Sequence, residues 1–417
     1  MGGASKRNIV ICCDGTGNDY SRTPSNVLRL YKLVLKKDGD QIVCYHPGIG
    51  TLDRPEGRTR LGRRLRHWRE LGFGEGVIEN VVELYAYLMR EYQSKDDIYL
   101  FGFSRGAFTA RALAGMLHVC GLLQREDEHL LAYAAGLYRT SERRIRRSLR
   151  SEGLCYAPRG DDHAARDHKA RDFKSLVGRA CPIHFMGLWD TVKAYGWLWP
   201  QSFPALRHNP SVQSLRHAVA LDERRPVFQV TGWGERREPK CGVPWEPVQE
   251  VWFAGDHANV GGGHESGNTS LTDASLAWML GEAIAAGLVL DKTAREEAER
   301  IRAEGGKASS ATTSDLRRRY WYTYTLPRWD LDNRTYPPGH WPTWFWASGV
   351  RQPVRHAEDH PILLHETIRD RGPGYQPEAL RRRTRLAYTD PEPAFAYVQT
   401  RDPMVAVRQI GESSPDR

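Results

Sequence analysis

Short apolar runs alternate with stripes of helical period through most of the chain. Asn8 to Cys13 is a run of β-branched and Cys residues closed by Asp14-Gly15-Thr16-Gly17, which predicts a short buried strand. Val27, Leu30, Tyr31 and Val34 recur at helical spacing within Asn26 to Leu35, and Gln41 to Tyr45 predicts a second strand. After an Arg/Gly-rich segment, Val77, Val81, Leu84, Tyr85 and Leu88 form one stripe of a helix over Gly76 to Tyr92. Ile98 to Phe101 predicts a third strand, and a long helix follows from Ala107 to about Leu123. Further strands are predicted at Ile183 to Trp189, Val227 to Trp233 and Val248 to Phe253, with a helix at Asp273 to Gly287. Strands that alternate with helices call for a mostly parallel, doubly wound α/β sheet covered on both faces.

The same pattern divides the chain. Residues 124–180 are charged and interrupted, which reads as a helical insertion in a core spanning 1–290. From Asp291 onward the polar helix Lys292 to Gly305 leads into an Arg- and Trp-rich region. Its Trp321, Trp329, Trp341, Trp344 and Trp346 argue for a C-terminal lobe, 291–417, packed on the core. Ala308 to Ser314 is the linker candidate.

Composition narrows the function classes. Of the 417 residues, 40% are hydrophobic and 27% charged, and no run approaches the roughly eighteen apolar residues of a membrane span. Met1 to Arg7 lacks a secretory signal, and Lys6 stands where a myristoylation site wants Ser or Thr. The expected location is cytoplasmic as synthesised, with export by a dedicated secretion system left open. Seven cysteines without a C-x-x-C pair read as reduced, structural thiols. The net charge of +9 comes without a zinc finger, RNP signature or P-loop, so it argues for peripheral contact with anionic membrane over nucleic acid.

The chemistry centres on Gly102-Phe103-Ser104-Arg105-Gly106, set between an apolar strand and an Ala-rich helix. That is the context of a nucleophile elbow, a strand-to-helix turn so sharp that the serine hydroxyl stands exposed above the sheet. A serine needs a base and the base an orienting acid, in the chain order Ser, Asp, His. Asp190 ends a predicted strand and His257 follows another, which makes Ser104, Asp190 and His257 the candidate catalytic set. Asp256 as the acid, the pair His217 and Asp222 on a predicted helix end, and His365 stay open as alternatives. The Arg105 N–H and that of Gly15 or Thr16 are the candidate oxyanion-hole donors. Asp14 as metal ligand or phosphoryl acceptor finds no second carboxylate at suitable spacing, so neither metal nor organic cofactor is expected. Trp197, Trp199 and Phe203, in a segment broken by Pro200 and Pro204, form a candidate substrate flap.

Five blocks carry a family resemblance: Cys13-Asp14-Gly15-Thr16-Gly17-Asn18, Gly48-Ile49-Gly50-Thr51, Phe101 to Ala107, Gly187 to Val192 and Gly255 to Gly263. In that order they resemble a widespread, largely uncharacterised α/β-hydrolase family that includes phospholipase effectors of type VI secretion systems. The likeness runs over roughly residues 7–285 and extends to Leu221-Asp222-Glu223-Arg224. It implies an α/β-hydrolase fold and a Ser-Asp-His hydrolase, with a lipid or phospholipid ester as expected substrate. A hydrolase of small esters or peptides, and a catalytically silent binding protein, are the competing readings. Oligomeric state is not legible.

Overall fold

A computed structural model of the chain describes residues 6–15, 23–36, 39–48, 75–139, 168–192, 205–206, 208–225, 228, 230–233, 248–263, 269–311, 362–372, 375, 377, 380 and 395–401. Its strands are β1 (Asn8–Cys13), β2 (Gln41–His46), β3 (Asp97–Phe103), β4 (Ile183–Trp189), β5 (Val212–Ala220), β6 (Gln249–Phe253), β7 (Ile362–His365) and β8 (Phe395–Val398). Its helices are α1 (Asn26–Leu33), α2 (Glu75–Glu91), α3 (Arg105–Cys120), α4 (His168–Val177), α5 (His257–Gly261), α6 (Ser270–Ala285), α7 (Arg295–Gly306) and α8 (Glu366–Arg369). The strands join in one sheet of order β2-β1-β3-β4-β5-β6-β7-β8, every pairing parallel. This is an α/β-hydrolase fold.

Strand β1 shows how the two faces are filled. Val10 and Cys12 join the core beneath α1 and α6, whereas Ile9, Ile11 and Cys13 join the core beneath α2 and α3. Burial on both faces explains the unbroken apolar run, and Ile9, Val10 and Ile11 contribute about 1.5–3 kcal/mol each. Strand order turns back at β1, which lies between β2 and β3. In open parallel sheets the crevice outside the carboxyl ends at such a reversal is where ligands bind.

The structure corrects the sequence reading in several places. The sheet is not complete by residue 290: β7 and β8 extend it across the expected boundary. Four residues are too few to show a period. Strand β5 went unread because polar Gln213, Arg216 and His217 interrupt it, and 217–222 read as a helix end. Those polar groups are satisfied inside the fold, as in the buried 2.5 Å ion pair of Arg216 with Glu282 on α6. Within the predicted strand over 227–233 the described residues lie outside the sheet, and Val230 makes an isolated bridge to Val192. The linker candidate begins as a 3-10 turn, Lys307–Ser310, in which Ala308 is buried and accepts from the Arg371 guanidinium at 2.6 Å.

Within the expected insertion Arg125–Leu130, residues 131–139 and α4 are helical, and the Leu122–Arg179 bridge joins its two ends. Cys12, Cys13, Cys44, Cys120 and Cys181 are free thiols. Burial raises the thiols of Cys12, Cys13 and Cys181, and pushes Cys44 up to about 11. The five tryptophans from Trp321 to Trp346 lie outside the described residues.

Candidate active site

Strand β3 runs through Phe103 into Ser104, which caps α3 with φ 58° and ψ −121°. A non-glycine residue at positive φ is uncommon, and here the surroundings hold it. The Ser104 N–H donates to the Trp189 carbonyl at 3.0 Å, pinning the turn to the end of β4. The turn also needs two residues without side chains. A Cβ on Gly102 would stand 2.5 Å from the Ala107 Cα, and one on Gly106 would collide with the Cys13 carbonyl oxygen. Residues 102–106 thus form a sharp strand-to-helix turn, with the Arg105 N–H at the first position of α3, where no intrahelical acceptor exists.

Asp190 follows β4 directly, fully buried and also at positive φ, 39°. His257 opens α5 after β6, oriented by a capping box in which the Asp256 carboxylate accepts from the N–H groups of Ala258 and Asn259. From these separate strand ends the three side chains meet. The Ser104 hydroxyl lies 2.9 Å from His257 Nε2, and His257 Nδ1 lies 2.6 Å from Asp190 Oδ2. Asp190 Oδ1 accepts from the Ala220 N–H at 2.9 Å. With Nδ1–H directed at the carboxylate, Nε2 is left as acceptor for the serine proton, the arrangement that general-base activation of a hydroxyl requires. Ser104 and His257 are buried, each with 7% of its surface exposed.

The imidazole is held from several directions. Phe103 and Phe228 place their rings 4.7 and 4.6 Å from it, and its backbone N–H donates to Glu223 Oε2 at 3.2 Å. Glu223, buried, also accepts from the Arg224 and Arg225 N–H groups and binds the Arg225 guanidinium through both oxygens. The block Leu221 to Arg224 stood out in the sequence. Phe228 carried no signal there, because its contact with His257 arises only from folding.

The alternatives do not gather at Ser104. Asp256 is committed to its capping box. Asp222 instead accepts from the Gly255 N–H at 2.7 Å and the Tyr375 hydroxyl at 2.5 Å, and burial raises its carboxyl above the usual range. His217 bonds Glu250 on β6, and His365 stacks on Phe253. Asp14 receives the Ser25 and Tyr45 hydroxyls at 2.6 and 2.7 Å, which makes it the tie holding the loop after β1. The Gly15 N–H donates to Asp14 Oδ1 at 2.6 Å, so that amide is turned to the carboxylate. Thr16, Trp197, Trp199 and Phe203 lie outside the described residues.

An elbow serine above a parallel sheet, hydrogen-bonded to a histidine from a later strand end, defines a protein of the α/β-hydrolase class. More narrowly, the chain belongs to the type VI secretion phospholipase effector Tle1-like family, whose catalytic-domain model matches residues 7–282. It is 33% identical over 234 residues to an uncharacterised protein of Saccharomyces cerevisiae, a match covering 54% of this chain but 32% of that relative's length. Among solved structures it resembles an uncharacterised Pseudomonas aeruginosa protein, with 19% identity, a TM-score of 0.39, and 79% and 52% of the two chains covered. It also resembles a Tle1 effector bound to the VgrG spike of a type 6 secretion system, with 20% identity, a TM-score of 0.29, and 61% and 51% covered. Among the described residues no helix is long and apolar enough to cross a membrane.

Proposed function

We propose that the chain is a serine esterase that cleaves an acyl ester of a phospholipid through an acyl-enzyme. The hydrogen-bonded line from Ser104 through His257 to Asp190 carries this reading. Ser104 attacks the ester carbonyl while His257 takes the hydroxyl proton and Asp190 holds the imidazole in the required tautomer. The Arg105 N–H stabilises the oxyanion, while the Gly15 amide is turned to Asp14. His257 then protonates the departing alcohol and activates the water that releases the acyl group.

A phospholipid is favoured over a neutral ester by the family description and by Arg105 itself. Its side chain is half-buried beside Ser104, and burial pulls the guanidinium down to about 10 with no acidic partner among the described residues offsetting it. A phosphate on the substrate would supply that partner. Contact with an anionic membrane and delivery by a secretion system belong to the same proposal.

A fluorophosphonate probe and vesicles of defined phospholipid test it together. The native chain should be labelled at Ser104 and should release fatty acid or lysolipid, and Ser104→Ala should do neither. Labelling without lipid turnover would favour a small-ester or peptide substrate. A chain that neither labels nor turns over lipid would be a binding protein.

A further inference from the structure

Behind Asp190 lies a second buried carboxylate–imidazole pair. His217 on β5 is fully buried, and its Nδ1 lies 2.6 Å from Glu250 Oε1 on β6. Its Nε2 lies 3.1 Å from the backbone nitrogen of Thr191, the residue after Asp190. A backbone amide can only donate, so Nε2 carries no proton, and the single N–H of the neutral ring is on Nδ1, directed at Glu250. Arg111 on α3 sets its Nη2 3.3 Å from the same Nδ1 and donates through Nη1 to the Gly232 and Leu206 carbonyls at 3.1 and 3.3 Å. The other Glu250 oxygen accepts from the Trp233 N–H at 2.9 Å. Burial lowers the affinity of His217 for a second proton and the Arg111 charge works the same way, while Glu250 opposes them. With the proton on Nδ1 the ring satisfies Glu250 and Thr191, while Arg111 Nη2, itself a donor, lies beside Nδ1 without a hydrogen bond to it.

The link to chemistry is the backbone of Asp190. Its φ of 39° is strained for a residue with a side chain, and such a conformation persists only where neighbours over-determine it. The peptide groups on both sides of Asp190 are in fact held. Its own N–H donates to the Ala218 carbonyl at 2.7 Å, and the following N–H donates to His217. Losing the second bond frees the turn that aims Oδ2 at His257. The bland alternative is a core histidine that is merely satisfied. What sets His217 apart is that the group it accepts from is the peptide that carries the acid.

We infer that His217, fixed by Glu250, is a positioning residue for the reaction, acting through the backbone of Asp190. The inference rests on the reading of Asp190 as the orienting acid. Arg111, on α3, the helix that starts at Ser104, packs against the same ring.

A double-mutant cycle on a soluble ester tests it. His217→Leu should lower kcat about tenfold with KM unchanged, and His217→Gln, whose amide oxygen can take the Thr191 N–H, should recover most of that loss. In an Asp190→Asn background His217→Leu should cost less than about threefold, because the two act as one unit. Losses that multiply, a change in KM alone, or a Gln variant no better than Leu would overturn the inference. Should His217→Leu fail to fold, Glu250→Gln must show the same kcat loss and the same non-additivity, and independent losses there would also overturn it. An Asp190→Asn enzyme as active as the native one would instead overturn the reading of Asp190, a result separable from any outcome at His217.

Discussion

Phe228 lies nearly parallel to the His257 imidazole, with 16° between the planes and 4.6 Å between ring centres. Arg225 sits over the same phenyl ring at 4.2 Å, and Glu223 grips both that guanidinium and the His257 backbone. Phe228 thus forms a wall against the His257 imidazole, whose Nε2 faces Ser104. Phe228→Ala should lower kcat about tenfold by loosening that orientation, and Phe228→Tyr should restore it. Steady-state kinetics on a soluble ester, beside a thermal melt, would check this. A large fall in melting temperature with kcat intact would assign Phe228 to packing alone.

The choice of acid can be tested by ranking substitutions. Asp190→Asn keeps the shape of the side chain but sets an amide against the imidazole, so turnover should fall by about 100-fold or more. His257→Ala, which removes the base, should cost more than Asp190→Asn. Asp222→Asn should leave turnover within a few fold, because an amide oxygen can still accept from Gly255 and Tyr375. If Asp222→Asn were the more damaging change, the acid would be Asp222.

Two histidines away from the site, buried His365 and half-buried His118, contribute to the response to acid. Burial lowers His118 from 6.5 to about 4 and His365 from 6.5 to about 3. Below 6.5 the unfolded chain takes up protons that the folded chain refuses, so stability is full above that pH and drains as pH falls. The loss continues to about 4 for His118 and about 3 for His365. Urea unfolding from pH 7 to 4 should show this slope, and His365→Gln should flatten it. An unchanged slope would mean that His365 is not the group responsible.

Arg105 allows the substrate to be probed without touching the triad candidates. Arg105→Gln keeps the backbone N–H while removing the charge. Turnover of phospholipid vesicles should fall about tenfold or more, the scale of one charge-assisted hydrogen bond, while turnover of a neutral short-chain ester stays within a few fold. Equal losses on both substrates would remove the phosphate-binding role from Arg105.

Much of the fold and the candidate set could be read from local pattern. Runs such as Asn8 to Cys13 and Ile183 to Trp189 are apolar because a parallel sheet buries both faces, and burial is a property each strand records in its own residues. The elbow is equally local, since its glycines answer to backbone a few residues away or on the adjoining strand. Tertiary structure decided the rest. Strand β5 hides in sequence because Arg216 and His217 find partners 66 and 33 residues away, on Glu282 and Glu250, and unpaired they would not be tolerated inside a sheet. Strands β7 and β8, four residues each, are fixed by pairing with β6 and each other rather than by any period of their own. In the structure Asp190 follows β4 and Asp222 follows β5. Which one faces His257 depends on how β4, β5 and β6 are ordered in the sheet, and that order is settled by packing between segments far apart in the chain.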